Sequence, residues 1–249
     1  QNVDIMGFPE THDTVAEPLP YNLFPGYKFY SKPRTTGQGG GVGLAVHVSI
    51  AAEAKPYVFS CQQYQESLWL VLQRSGRARK LFIGVVYMPD ESKPIAQRSA
   101  AWQQLSHDLS HLMAQGAVLC LGDFNARVGV AGNDNDHIGQ YGEDVENSNG
   151  TMFNSMLGEL DLYCLNARTP FISPASHLTY VKYRPDGTIM GQSLIDYIIA
   201  SPDIAMGANV GAIPSAVVHP RTVDTDHLPV TAFVVRPVLR RSSRSGWIK

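Results

Sequence analysis

Short apolar runs bounded by Gly, Pro, Asn and Asp recur along nearly the whole chain. Only two stretches carry apolar residues at helical spacing instead. The runs at 3–8, 44–48, 57–61, 67–72, 81–87 and 117–121 each predict a strand, as do those at 162–166, 177–181, 193–200, 210–213, 216–218 and 228–235. From Ile95 to Met113, Trp102, Leu105, Leu109, Leu112 and Met113 fall on one helical face, and Gly116 is read as the terminator. A second helix is expected from an Asn149 cap, with Met152, Phe153, Met156, Leu157 and Leu160 facing inward. Gly, Asn and Asp crowd residues 129–149, which read as a surface loop. Many strands, two helices and no internal repeat predict an α+β or mixed α/β sandwich in one unit, residues 1–236, followed by a basic tail at 237–249.

The run at 117–121 leads into Gly122-Asp123-Phe124-Asn125-Ala126. Side chains alternate along an extended chain, so Asp123 and Asn125 point the same way at the strand's end. Strand ends are where α/β proteins usually keep their chemistry. Other acids sit similarly. Glu10 follows the first run, and Asp196 interrupts an apolar stretch, where an unpartnered carboxylate is costly. Asp226 and His227 precede the last strand, with Asp224 as a decoy nearby. If the fold gathers these ends, several carboxylates, a carboxamide and an imidazole share one cleft. Clustered carboxylates repel unless a cation neutralises them. Oxygen ligands without thiolates favour Mg²⁺ or Mn²⁺, and that setting suits attack of water on a phosphodiester.

Composition narrows the class. The chain has 249 residues, 44% of them hydrophobic and 17% charged, which is ordinary for a globular protein. No apolar run approaches the roughly 18 residues that span a bilayer, so no membrane partner is expected. The amino terminus shows no signal-peptide pattern. Cys61, Cys120 and Cys164 lack zinc spacing, and the two inside apolar runs read as buried thiols of a reducing, nuclear or cytoplasmic setting. A net charge of −2 does not announce a nucleic-acid binder. The basic knot Arg74, Arg77, Arg79, Lys80 and the tail Arg236, Arg240, Arg241, Arg244, Lys249 read as a solvated loop and a frayed end. Gly39-Gly40-Gly41 runs from loop into strand without Gly-Lys-Ser/Thr, which excludes a P-loop and leaves a tight turn.

Taken in order, Pro-Glu-Thr (Glu10), Val-Val-Tyr-Met-Pro (Tyr87), Gly-Asp-Phe-Asn-Ala (Asp123, Asn125), Leu-Thr-Tyr (Thr179), Ser-Leu-Ile-Asp-Tyr-Ile (Asp196) and Thr-Asp-His-Leu-Pro-Val (Asp226, His227) resemble the exonuclease–endonuclease–phosphatase superfamily. Gly-Asp-Phe-Asn-Ala-Arg-Val-Gly and Asn147-Ser148-Asn149-Gly150 are similar to the apurinic-endonuclease-like domains of non-LTR retrotransposons. The resemblance implies a DNase I-like four-layer sandwich, two packed mixed sheets with helices outside, and a divalent-metal endonuclease. Glu10 would ligate Mg²⁺, with Asp226 as a further ligand. Asp196 would hold His227, which activates water or binds the scissile phosphate. Asp123 and Asn125 would orient the nucleophile, and Tyr87 and Thr179 would contact phosphate oxygens. The implied act is nicking of double-stranded DNA to leave a 3′-hydroxyl, from which the reverse transcriptase domain of the same polyprotein primes.

Two departures accompany the match. The family's first strand, ending in an active-site asparagine, precedes the glutamate strand, whereas this sequence opens on the glutamate strand, and Asn2 is too close to Glu10 to substitute. Pro9 also stands where the family usually has glutamine. The expectation is a sequence cut short, or a decayed or repurposed copy, and a missing central strand would leave unpaired backbone and exposed apolar surface. The rival from another class is a catalytically weakened nucleic-acid-binding domain. A repair endonuclease or phosphatase on the same fold is a third reading.

Overall fold

A computed structural model describes residues 3–16, 19–20, 22–35, 39–73, 80–129, 136–139, 143–166, 178–206, 216–218 and 225–232. The chain runs through β1 (Ile5–Pro9), β2 (Tyr27–Lys32), β3 (Val42–His47), α1 (Val48–Ala51), β4 (Ala54–Pro56), β5 (Ser67–Leu72) and β6 (Lys80–Tyr87). It continues through α2 (Ile95–Met113), β7 (Gly116–Asp123), α3 (Ser148–Leu160), β8 (Tyr163–Cys164), β9 (Tyr180–Tyr183) and β10 (Ile189–Ser193). Last come β11 (Asp196–Ala200), α4 (Pro202–Ala205), β12 (Ala216–Val218) and β13 (Val230–Ala232).

A six-stranded mixed sheet in the order β4-β5-β6-β7-β11-β8 forms the middle of the molecule. Its central strands read as continuous apolar runs because both faces are covered. On one face Phe82, Val118, Cys120 and Ile199 meet Trp102, Leu105 and Leu109 of α2 and Phe153 and Leu157 of α3. Burying each of those large side chains contributes about 1.5–3 kcal/mol. On the other face Ile83 and Val85 pack against Val42, Leu44 and Val46 of β3, while Ile198 and Ala200 pack near β13. The second layer is therefore two antiparallel pieces among the described residues, β1-β3-β2 and β12-β13. Alternation along β3 sends Val42, Leu44 and Val46 inward. The outward side is covered by stacked Phe8 and Phe24, with Phe29 edge-on to both. Two packed sheets with helices outside match the expected sandwich. Among the described residues no helix is long and apolar enough to cross a membrane.

Several local expectations change. β2 occupies a stretch where no strand was expected; its alternating Tyr27 and Phe29 are the signal that marks it. Gly116 does not end α2, which is closed at Ala114; it opens β7, where a Cβ would stand 2.3 Å from the Lys80 carbonyl oxygen. Asn147, not Asn149, caps α3, accepting from the Gly150 N–H. The expected strand at 193–200 is two strands, with Ser193 ending β10 and Asp196 opening β11. Its carboxylate therefore sits at a strand end, not mid-strand. Cys120 and Cys164 are buried, and Cys61 is exposed. The strand at 210–213, Asp224, the Arg74–Arg79 part of the basic knot and the basic tail lie outside the described residues.

Candidate active site

Register builds the site. Parallel pairing of β6 with β7 sets Tyr87 beside Asp123, and antiparallel pairing of β7 with β11 sets Asp196 opposite Asp123. Directly paired residues project on the same face. Two residues back, Val85, Leu121 and Ile198 form the equivalent row, and all three face the second sheet. The buried face thus changes from aliphatic to a phenol and two carboxylates in one step, at the end of three adjacent strands.

The turn after β7 fixes the next groups. Asn125 adopts φ 48°, in the left-handed region, which asparagine tolerates better than most residues. Its N–H donates to Asp123 Oδ1 at 2.8 Å, and its carboxamide donates to the Met88 carbonyl at 2.9 Å and to Asp123 Oδ2 at 3.3 Å. Asp123 and Asn125 do share one face, through a turn, not through strand alternation.

His227 arrives on a short segment laid against β9. Val181 N–H donates to the Asp226 carbonyl at 2.8 Å and Leu228 N–H to the Thr179 carbonyl at 2.6 Å. The imidazole stands edge-on to Tyr180, and its Nδ1 lies 3.1 and 2.9 Å from the two Asp196 oxygens. Donation from Nδ1–H to the carboxylate leaves Nε2 as the free ring nitrogen. Glu10 closes the far side from the end of β1. It too is left-handed, at φ 60°, and its carboxylate charge acts on the Tyr87 phenol.

The electrostatics follow from that crowding. Burial, and then the Asp196 charge, hold the Asp123 carboxyl well above the usual carboxylate range, against the opposing pull of His227. Burial alone would lower His227, but the Asp196 hydrogen bond and the charges of Asp196, Asp123 and Glu10 prevail and raise it to about 9. Burial and the neighbouring Glu10 and Asp123 charges push the Tyr87 phenol up, so it stays protonated.

Glu10, Tyr87, Asp123, Asn125 and His227 line one cavity of about 350 Å³, with Asp196 behind His227. Asp90, Glu91, Arg127, Asn147, Tyr180, Ser193 and Ile195 complete its walls. Arg127, Asn147, Tyr180, Ser193 and Ile195 lie within the motifs quoted from the sequence, but none of them was read there as a site residue. Two expected residues are placed differently. Thr179 is fully buried, and its hydroxyl accepts from the N–H groups of Ile195 and Asp196 at 3.1 and 3.0 Å, so it supports Asp196 and does not face the cavity. Asp226 is not among the cavity walls; its backbone carbonyl is what β9 uses.

Asp123, Asp196 and His227 each bring a potential ligand atom within 4.8 Å of the others. Part of that closeness is the Asp196–His227 hydrogen bond itself. Two carboxylates and an imidazole, with Glu10 on the same cavity, fit a hard divalent cation, which would offset the burial of Asp123 and then the neighbouring Asp196 charge.

No curated protein matches the chain by sequence. Solved structures do share its fold. The endonuclease domain of TRAS1, a telomere-specific non-LTR retrotransposon, aligns at TM-score 0.60 and 17% identity, covering 94% of this chain and 85% of that one. The AP endonuclease of Leishmania major aligns at 0.63 and 14%, covering 91% and 77%. The 3′-5′ exonuclease of Neisseria meningitidis aligns at 0.59 and 18%, covering 93% and 89%. The sequence model of the endonuclease/exonuclease/phosphatase family matches residues 1–227. Those residues hold every strand end that the cavity gathers, and the chain belongs to the endonuclease/exonuclease/phosphatase family.

Proposed function

We propose that this chain is a divalent-metal-dependent endonuclease that nicks double-stranded DNA and leaves a 3′-hydroxyl. The observation that carries this reading is the meeting of Glu10, Tyr87, Asp123, Asn125 and the Asp196–His227 pair at one cavity. Likeness in fold to a retrotransposon endonuclease domain and an AP endonuclease supports DNA as the substrate. The 3′ end so made suits priming by a reverse transcriptase domain of the same polyprotein.

Glu10 and Asp123, with Asp196 close by, would hold Mg²⁺ or Mn²⁺. When bound, the ion supplies the positive charge that offsets these carboxylates and draws electron density from a phosphate oxygen. The chain's own groups do the rest. Asp196 fixes the His227 ring, and His227, cationic at neutral pH, donates from Nε2 to a non-bridging phosphate oxygen. Asp123 takes a proton from the attacking water, whose oxygen bonds phosphorus as the P–O3′ bond breaks, and the departing 3′ oxygen takes a proton from solvent to become the hydroxyl. Asn125 orients that water, and the protonated Tyr87 phenol donates to the phosphate as charge grows in the transition state.

Incubation of supercoiled plasmid with the protein and Mg²⁺ tests this. Open circles whose nicks a DNA polymerase extends without prior phosphatase treatment are the expected result. Salt-dependent binding with no cleavage under Mg²⁺ or Mn²⁺ would overturn the enzyme reading and leave a nucleic-acid-binding domain. Cleavage confined to abasic-site or 3′-phosphate substrates would make it a repair enzyme instead.

A further inference from the structure

The Asn147-Ser148-Asn149-Gly150 motif is placed against the back of the site. Asn147 Oδ1 accepts from the Gly150 N–H at 2.7 Å, as the α3 cap, and also from the Arg127 N–H at 3.0 Å. Its amide nitrogen donates to the Asn125 carbonyl at 3.2 Å. Asn149 is fully buried, and its amide nitrogen donates to the same Asn125 carbonyl at 3.1 Å and to the Pro89 carbonyl at 2.8 Å. Its oxygen accepts from Arg98 at 3.0 Å and the Trp102 indole at 3.4 Å. Every hydrogen-bonding position of that carboxamide is therefore used. Gly150 allows the approach, since a Cβ there would fall 1.8 Å from the Arg127 carbonyl oxygen.

A helix cap needs one side-chain acceptor, and Asn147 alone supplies it. Capping does not explain a second, fully buried asparagine, nor two donors converging on one carbonyl. That carbonyl belongs to Asn125, which holds a left-handed backbone at φ 48°. Asn149 also joins Pro89, just past β6, to Asn125, just past β7, so it spans the C-terminal ends of two parallel strands. Fully satisfied buried networks of this kind set a rigid geometry.

We propose that Asn149 and Asn147 are positioning residues for Asn125: they pin its carbonyl from behind, so that its carboxamide is presented to Asp123 and the cavity. This rests on the endonuclease reading for its effect on rate, but not for the geometry itself.

Two variants test it. Asn149→Asp keeps acceptors for Arg98 and Trp102 and removes both donors. Asn147→Ser keeps a good cap and removes the donor to Asn125. Hydrogen exchange of the Asn125 amide, which bonds Asp123, reads the geometry without any catalysis. It should quicken at least about tenfold in both variants while amides within α3 and β7 keep wild-type rates. In plasmid nicking, kcat should fall about 10–10²-fold with KM within about twofold. Each variant combined with Asn125→Ala should be no slower than Asn125→Ala alone. Unchanged exchange at Asn125, or losses that multiply in the double variants, would overturn the proposal. If Asn149→Asp fails to fold, Asn147→Ser decides by itself. A wild-type chain that never nicks DNA would sink the endonuclease reading, and Asn125 exchange would still decide this one.

Discussion

Asp123 and Asp196 stand directly opposite each other across the β7–β11 ladder, and no other facing pair in that ladder carries a charge. Like charges at that position are destabilising unless something offsets them. His227, bonded to Asp196 through Nδ1, offsets part, and a bound divalent cation would offset the rest.

The first prediction concerns that repulsion. Replacing Asp123 with Asn removes a carboxyl that burial and Asp196 hold above its ordinary range. The chelated, ion-free protein should gain up to about 1 kcal/mol, the scale of a like-charge cross-strand pair, or up to about 2–4 °C in Tm for a chain of this size. Millimolar Mg²⁺ should raise the wild-type Tm and leave that of Asp123→Asn unmoved. Scanning fluorimetry with and without EDTA measures both. Equal Mg²⁺ shifts in the two proteins would contradict the site assignment.

The second follows from His227. Its pKa in the folded protein, about 9, lies above the ordinary value of 6.5, so the fold favours the protonated form. The stability it contributes is fully present below about pH 6.5 and disappears as pH rises through about 9. Tm of the ion-free wild type should fall over that window, and His227→Gln should flatten the fall. Parallel Tm curves for the two proteins from pH 6 to 10 would refute it.

Much of this was legible in the sequence because acids at strand ends break an otherwise apolar pattern. Ile95–Met113 and Ser67–Leu72 needed only periodicity and run length, and both have the expected bounds. The Gly-Asp-Phe-Asn stretch announced Asp123 and Asn125 for the same reason. What stayed hidden depends on pairing between distant strands. Register, not local pattern, sets Tyr87, Asp123 and Asp196 in one row. Thr179 shows the limit most plainly, since residue type suggests a phosphate contact, whereas the fold turns its hydroxyl inward to two backbone N–H groups. Asn149 is the same case, its cap-like letters hiding a buried clamp.

Thr179 therefore gives the third prediction. Thr179→Val keeps the shape and leaves the Ile195 and Asp196 N–H groups without their acceptor. Stability should drop by about 1–3 kcal/mol. If it works through Asp196, nicking should lose kcat and keep KM for DNA. A raised KM with unchanged kcat would return Thr179 to direct phosphate contact.

The fourth tests the wall behind the site. The Tyr197 hydroxyl is fully buried and shares its single proton between the Ala126 and Leu194 carbonyl oxygens, at 3.0 and 2.9 Å, tying the turn after Asp123 to the segment before Asp196. Tyr197→Phe should cost about 1–2 kcal/mol in urea unfolding. No change in the unfolding midpoint would show that those carbonyls do not depend on it.

The most direct test of the central claim, that one cavity hydrolyses a phosphodiester with the Asp196–His227 pair at its centre, is the initial rate of plasmid nicking in Mg²⁺. Asp196→Ala and His227→Ala should each lower it by at least about 10²-fold relative to wild type. Wild-type rates in both variants would contradict the account.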